Sequence, residues 1–276
     1  MRKGFVYLSE DEFVAESIIL VDEAKKRGIT LRILGALAVY ISLKNKPEVL
    51  SVFRGLGRLG NNELLFTDLD LAAYGDQRGE ITRLFKELGF EPDRVVNTLF
   101  GHKRHVYYHP QSKYHVDVFF NKLEFSHDVV FGDKLGKGRL ELDYPTITLA
   151  DIILEKLQIH QINLKDIIDL IVMFISHDIG ENDKKGIING RYIARVLADD
   201  WGFWYDAMAN LDKVKVCMNK YFVEGKLDKY THSIAVSGID KLSKMIEEEP
   251  KTKKWLKRAK VGDKKPWYRE VEELMH

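Results

Sequence analysis

Phe66-Thr67-Asp68-Leu69-Asp70-Leu71 sets two carboxylates two residues apart inside an apolar run. Along an extended strand successive side chains point to opposite faces, so Asp68 and Asp70 share one face while Leu69 and Leu71 turn to a core. Acids so placed form a chelate for a hard divalent cation. Mg²⁺ takes oxygen ligands, commonly one or two carboxylates together with phosphate oxygens of a substrate. A D-x-D triplet also arises often by chance, with both acids simply solvated at a strand end, so the rest of the chain decides between the two.

Two further stretches favour the chelate. Upstream, Leu31-Arg32-Ile33-Leu34-Gly35-Ala36-Leu37-Ala38 reads as a short strand that turns through a glycine into a helix of small residues. Such a turn leaves backbone N–H groups at a helix start, where a phosphate can sit. Downstream, His115-Val116-Asp117-Val118-Phe119 is a second alternating strand with one acid among apolar residues. A third carboxylate there would complete a two-metal site, with ions about 3.5–4 Å apart clamping the attacking and leaving oxygens of a phosphoryl transfer. This order of strand, glycine turn, helix, D-x-D and lone Asp resembles the nucleotidyltransferase superfamily typified by DNA polymerase β.

The bulk properties bound the rest. At 276 residues the chain has room for one large or two ordinary domains. Its 45% hydrophobic and 31% charged content belongs to a soluble globular protein, and a net charge of +1 gives no global pull toward nucleic acid. The single cysteine, Cys217, excludes an internal disulfide and suits a reducing cytoplasm. Neither a signal-peptide layout nor a run of about 18 apolar residues is present, so export and membrane spanning are not expected.

Ser9-Glu10-Asp11-Glu12 is a capping box opening an amphipathic helix over 9–27 that closes at Gly28. A strand over about 30–34 and a helix from Ala36 to Lys44 follow. Between 46 and 63 lies a glycine-rich stretch (Gly55, Gly57, Gly60) without clean periodicity, read as a loop. Its Arg54 and Arg58 are placed either to reach triphosphate oxygens or to be solvated. A helix over 79–88 and a hairpin over 104–120, turning at His109-Pro110-Gln111-Ser112, come next. His102, His105, His109 and His115 are scattered by strand alternation and lack a cysteine, which argues against zinc; one of them is a candidate to touch a substrate.

Asp143-Tyr144-Pro145 breaks the chain, and from Thr148 onward the pattern is helical. A boundary between domains 1–145 and 146–276 is expected there. Thr148 caps one helix and Asn163 another, with Asp166 and Asp169 on one face of the second. Those acids could serve helix stability alone, through the cap and the helix dipole. Lys156 sits mid-helix among apolar neighbours, where a charge needs a partner or a route to water.

Ala150-Asp151-Ile152-Ile153-Leu154-Glu155-Lys156-Leu157-Gln158-Ile159 followed by Lys165-Asp166-Ile167-Ile168-Asp169-Leu170 is similar to the downstream signature of AbiEii-type nucleotidyltransferases, and the likeness spans roughly residues 31–175. It implies Gly35 and Ala36 at the phosphate turn, Asp68, Asp70 and Asp117 at two Mg²⁺ ions (Mn²⁺ as an alternative), Lys156 at the nucleotide phosphates, and Asp166 in a polar or base role. One position departs from that family: its usual Gly or Ser is Ala36, which keeps the backbone donor and loses a hydroxyl.

The expected architecture is α+β: a polymerase β-like nucleotidyltransferase domain with a short mixed sheet, and a C-terminal helical domain closing the active-site cleft. The expected activity is transfer of a nucleoside monophosphate from an NTP such as ATP to a hydroxyl acceptor, either tRNA in a toxin-like role or a small antibiotic-like molecule. The alternative is a catalytically silent nucleotide-binding partner or antitoxin.

In the C-terminal region, Trp201, Phe203, Trp204 and Tyr205 read as core between helices. The stretch from Lys251 to Arg269 carries nine Lys or Arg against one acid, Asp263, with Trp255 and Trp267 interleaved. That composition suits an RNA backbone. The preceding Glu247-Glu248-Glu249 can pair with it on a solvated face, and that is the preferred reading of the stretch.

Overall fold

The computed structural model describes residues 8–58 and 65–270. In chain order the first elements are α1 (Glu10–Lys26), β1 (Leu31–Ile33), α2 (Gly35–Ser42), α3 (Pro47–Gly55), β2 (Leu69–Ala73) and α4 (Arg78–Glu87). They are followed by β3 (Glu91–Pro92), α5 (Arg94–Leu99), β4 (Arg104–Tyr108), β5 (His115–Phe120), β6 (Lys122–Glu124) and β7 (Asp128–Val130). The remainder runs α6 (Leu149–Leu157), α7 (Leu164–Ser176), β8 (Asp178–Gly180), β9 (Ile187–Asn189), α8 (Gly190–Asp199), α9 (Trp201–Val223), α10 (Lys229–Glu248) and α11 (Lys253–Ala259).

The chain divides into two compact units. One comprises Met1–Ile41, Asn61–Leu123 and Val130–Thr148; the other comprises Ser42–Gly60, Glu124–Val129 and Leu149–His276. The division near 148 lies close to the break at Pro145, while α3 and the short 124–129 segment pack with the helical unit.

The first unit is built on a five-stranded mixed sheet, order β1-β2-β5-β4-β3. β2 and β5 run parallel, with Asp70 opposite Asp117 and Leu71 opposite Val118. The other pairings are antiparallel. Strand alternation sorts the residues: Leu69, Leu71, Val116 and Val118 are fully buried, while Asp70 and Asp117 take the opposite face. Each such aliphatic side chain contributes about 1.5–3 kcal/mol by leaving water. The outer edge of β1 is covered by 145–147, with the Ile33 N–H donating to the Pro145 carbonyl and the Ile147 N–H to that of Ile33.

α1 begins with the capping box at Ser9, in which Ser9 and Glu12 each accept the other's backbone N–H. Phe13 of α1 packs on Phe66 and Tyr114 at ring separations of 5.2 and 4.9 Å. That contact accounts for one difference from the expected strand. Phe66 is an anchor in this aromatic cluster, Thr67 and Asp68 are exposed, and the ladder starts only at Leu69, opposite Val116.

The stretch after Lys46 also differs from expectation. Residues 47–55 form α3 instead of a loop, because Pro47 suits the first turn of a helix and Val49 and Phe53 supply a buried face. The helix is too short and glycine-flanked for its period to show in the sequence. Gly60 lies outside the described residues.

The second unit is helical. α7 is buried along nearly its whole length, with Ile168, Leu170, Ile171, Val172 and Met173 at zero exposure, and α3, α6, α9 and α10 pack against it. Asn163 caps it by accepting from the Asp166 N–H. Among the described residues no helix is long and apolar enough to cross a membrane.

Candidate active site

Asp70 and Asp117 are brought together by strand register. They occupy partnered positions on neighbouring strands whose Cα atoms are close enough for both carboxylates to share one small volume. Asp68 stands one residue ahead of β2, with about half of its side chain exposed. One imidazole joins it to the pair: His115 Nδ1 lies 3.3 Å from Asp68 Oδ1 and Nε2 lies 3.9 Å from Asp117 Oδ2. His115 precedes Asp117 by two residues on β5 and so shares its face.

Asp117 is nearly buried and has a second partner, the guanidinium of Arg104. Arg104 on the adjoining β4 approaches Asp117 Oδ1 with Nη2 at 2.7 Å and Nε at 3.0 Å. Arg104 pairs with Phe119 in the ladder, one pleat from Asp117, and projects on the acidic face. Its role was not foreseen from the sequence, although an arginine facing an acid across a hairpin is a signal that cross-strand pairing makes readable.

Gly35 completes this group. The Leu34 N–H donates to the Asp70 carbonyl, and the chain then enters α2 through Gly35 at φ +71°. A Cβ on Gly35 would lie 2.9 Å from Asp70 Oδ2. The glycine is therefore required twice, for a left-handed backbone and for close passage of the Asp70 carboxylate. Ala36, at the start of α2, is half-buried.

Carboxylate oxygens are the donors a hard divalent cation takes, and Asp70 and Asp117 share one face of the sheet while Asp68 stands just ahead of it. As the side chains stand, however, the described residues contain no group of three or more His, Cys, Asp or Glu placed to hold a metal ion. Asp68 is paired with His115 and Asp117 with Arg104. Of the other histidines, His105 is buried against the Tyr107 hydroxyl at 3.0 Å, and His109 lies 3.6 Å from Glu16.

Of the remaining sequence candidates, all in the helical unit, Lys156, Asp166 and Arg58 form a cluster around Asp169. Lys156, only 7% exposed, places Nζ 2.9 Å from Asp166, 3.1 Å from Asp169 and 3.6 Å from Glu155. Burial alone would favour its neutral form, but Asp166, Asp169 and Glu155 outweigh that and hold the ammonium well above its ordinary range. Asp169 also receives Arg58, with Nε at 2.7 Å from Oδ1 and Nη2 at 3.2 Å from Oδ2. Arg58 is thus committed to a buried ion pair, and Arg54 lies on the exposed side of α3.

A second polar centre in this unit was not read from the sequence. The Asp206 carboxylate receives His127 Nε2 at 2.7 Å, His160 Nδ1 at 2.9 Å and Trp267 Nε1 at 3.0 Å. Burial would raise its pKa, yet these three partners hold it below the usual carboxylate range. The partners come from positions 79, 46 and 61 residues away, so no local spacing announces them.

No protein-family model matches the chain, and no curated protein or solved structure matches it.

Proposed function

We propose that the first unit carries a Mg²⁺-dependent nucleotidyltransferase site, transferring a nucleoside monophosphate from an NTP to a hydroxyl acceptor. The supporting observation is the in-register placement of Asp70 and Asp117, with Asp68 linked to the pair through His115. Asp68, Asp70 and Asp117 would hold the cation. A divalent ion bound there supplies charge neutralisation for a triphosphate and a lowered pKa for the attacking hydroxyl.

The chain's own residues set the geometry. Gly35 lets the start of α2 pass beside Asp70, so that a phosphate bound at the first turn of α2 would lie next to a carboxylate. His115 and Arg104 fix the directions of Asp68 and Asp117. In the reaction the acceptor oxygen bonds to the α-phosphorus as the bond to the β-phosphate oxygen breaks. Pyrophosphate leaves and the hydroxyl proton passes to water. A tRNA and a small hydroxylated molecule are both acceptors of the required chemistry.

A second reading, a catalytically silent nucleotide-binding protein of the partner or antitoxin type, is favoured by the pairing of Arg104 with Asp117, which competes with a metal. Calorimetric titration with ATP, GTP, CTP and UTP, with and without Mg²⁺, separates the two. Metal-dependent binding lost in Asp70→Asn supports the transferase site. Binding indifferent to both metal and Asp70 supports the silent one.

A further inference from the structure

The stretch from Thr252 to Pro266 is packed from beneath and presents lysines outward. Thr252 caps α11 and donates its N–H to the Ala198 carbonyl. Arg258 lies over the Trp201 ring and donates to the carbonyls of Gly262, Lys265 and Pro266, fixing the turn that follows. Trp255 packs edge-on against Trp204 at 5.2 Å, and Trp267 against Tyr205 at 5.2 Å while donating to Asp206. Gly202 makes room for the Trp267 backbone, which a Cβ there would meet at 2.6 Å.

Most of the cations above this floor have no carboxylate partner among the described residues. Glu248 is matched with Lys244 at 3.7 Å and Glu249 with Arg195 at 4.0 Å, while Lys251 donates to carbonyls of its own turn. Lys254 takes Asp199 at 3.3 Å. Lys253, Lys257, Lys260, Lys264 and Lys265 are exposed and have no carboxylate partner among the described residues. Lys253 and Lys257 are four residues apart on α11 and share a face.

We propose that this lysine surface binds the phosphodiester backbone of a nucleic acid, recognised by charge and not by base. Point charges on a pre-ordered segment suit a line of phosphates and incur little ordering cost. Trp255 and Trp267 are turned into the aromatic floor, so recognition falls to backbone charge, and phosphate contacts carry no base readout. The surface lies within the helical unit and does not depend on the carboxylate site of the first.

The test is fluorescence anisotropy of the full chain with a labelled RNA hairpin and a DNA of the same sequence, between 50 and 200 mM salt, without nucleotide or divalent ion. Binding is expected to weaken steeply with salt. The Lys253→Gln/Lys257→Gln/Lys260→Gln variant should lower the slope of log K against log salt by about 2–3. A Lys134→Gln/Lys137→Gln control on the first unit should leave it unchanged, as should exchanging the bases. Reduced slopes with RNA, with DNA or with both bear the proposal out and name the source. If the triple variant fails to fold, Lys264→Gln/Lys265→Gln should lower the slope by about 1.5–2. Unsaturable binding at 50 mM salt, an unchanged slope in the variant, an equal loss in the control, or tryptophan quenching that depends on base would overturn it. Because the readout requires no catalysis, its failure would leave the transferase proposal standing.

Discussion

Asp70 and Asp117 face each other in register across the parallel pairing of β2 and β5. Register is what makes this contact robust: a one-residue slip would send either acid into the apolar layer formed by Leu69, Leu71, Val116 and Val118. Burial of those four residues thus fixes the position of the two carboxylates.

Gly35→Ala should be costly for its size. The added methyl meets both a φ of +71° and the Asp70 carboxylate at 2.9 Å. A left-handed alanine costs about 1–2 kcal/mol, and displacement of Asp70 adds to it. Urea denaturation is expected to show a lowered midpoint with an unchanged slope. Gly28→Ala, where a Cβ meets nothing within 4 Å, should show the backbone part alone.

Arg104 and Asp117 should be energetically coupled. The pair is largely buried and makes two short contacts, so a double-mutant cycle with Arg104→Met and Asp117→Asn is expected to return about 1.5–3 kcal/mol. A coupling near zero would mean that Arg104 does not orient Asp117.

Lys156→Met should be among the most damaging single substitutions in the helical unit. It leaves Asp166 and Asp169 without the ammonium they share, a loss of about 3–5 kcal/mol for a broken buried pair. Asp169 retains Arg58, so Asp166→Asn should cost less than Lys156→Met. Chemical denaturation of both variants measures the order.

Two buried histidines make the protein acid-sensitive. Burial, helped by Arg78 at His105 and by Lys46 at His177, lowers both to about 4 in the folded chain. The unfolded chain takes up these protons from about pH 6.5 downward, so stability is full above that value and falls as pH drops toward 4. His105→Phe should flatten the dependence of unfolding free energy on pH between 6.5 and 4.5, and an unaltered slope would show that His105 titrates normally.

Local signals in the sequence were sufficient for α1, the β1–Gly35–α2 turn, the β4–β5 hairpin and α7, because caps, positive-φ glycines and alternation act within a few residues. They were insufficient for α3, whose period is masked by flanking glycines, and for the start of β2, which Phe66 shortens by packing on Phe13 and Tyr40. In the candidate site, the strand positions of Asp70 and Asp117 and the positive-φ turn at Gly35 were legible because alternation and glycine turns act locally, whereas Asp68, expected within the strand, stands one residue ahead of it. The partners Arg104, on Asp117, and Arg58, on Asp169, were not assigned to them, and the Asp206 centre joins residues far apart in the chain. Such contacts follow from tertiary register and leave no local pattern.

The most direct measurement is pyrophosphate release from labelled ATP, GTP, CTP and UTP in the presence of Mg²⁺ and either bulk tRNA or a panel of small hydroxylated acceptors, comparing the native chain with Asp70→Asn. The account predicts metal-dependent release with at least one nucleotide and acceptor, abolished in a variant whose melting temperature is preserved. Release that continues at the native rate in Asp70→Asn would contradict it.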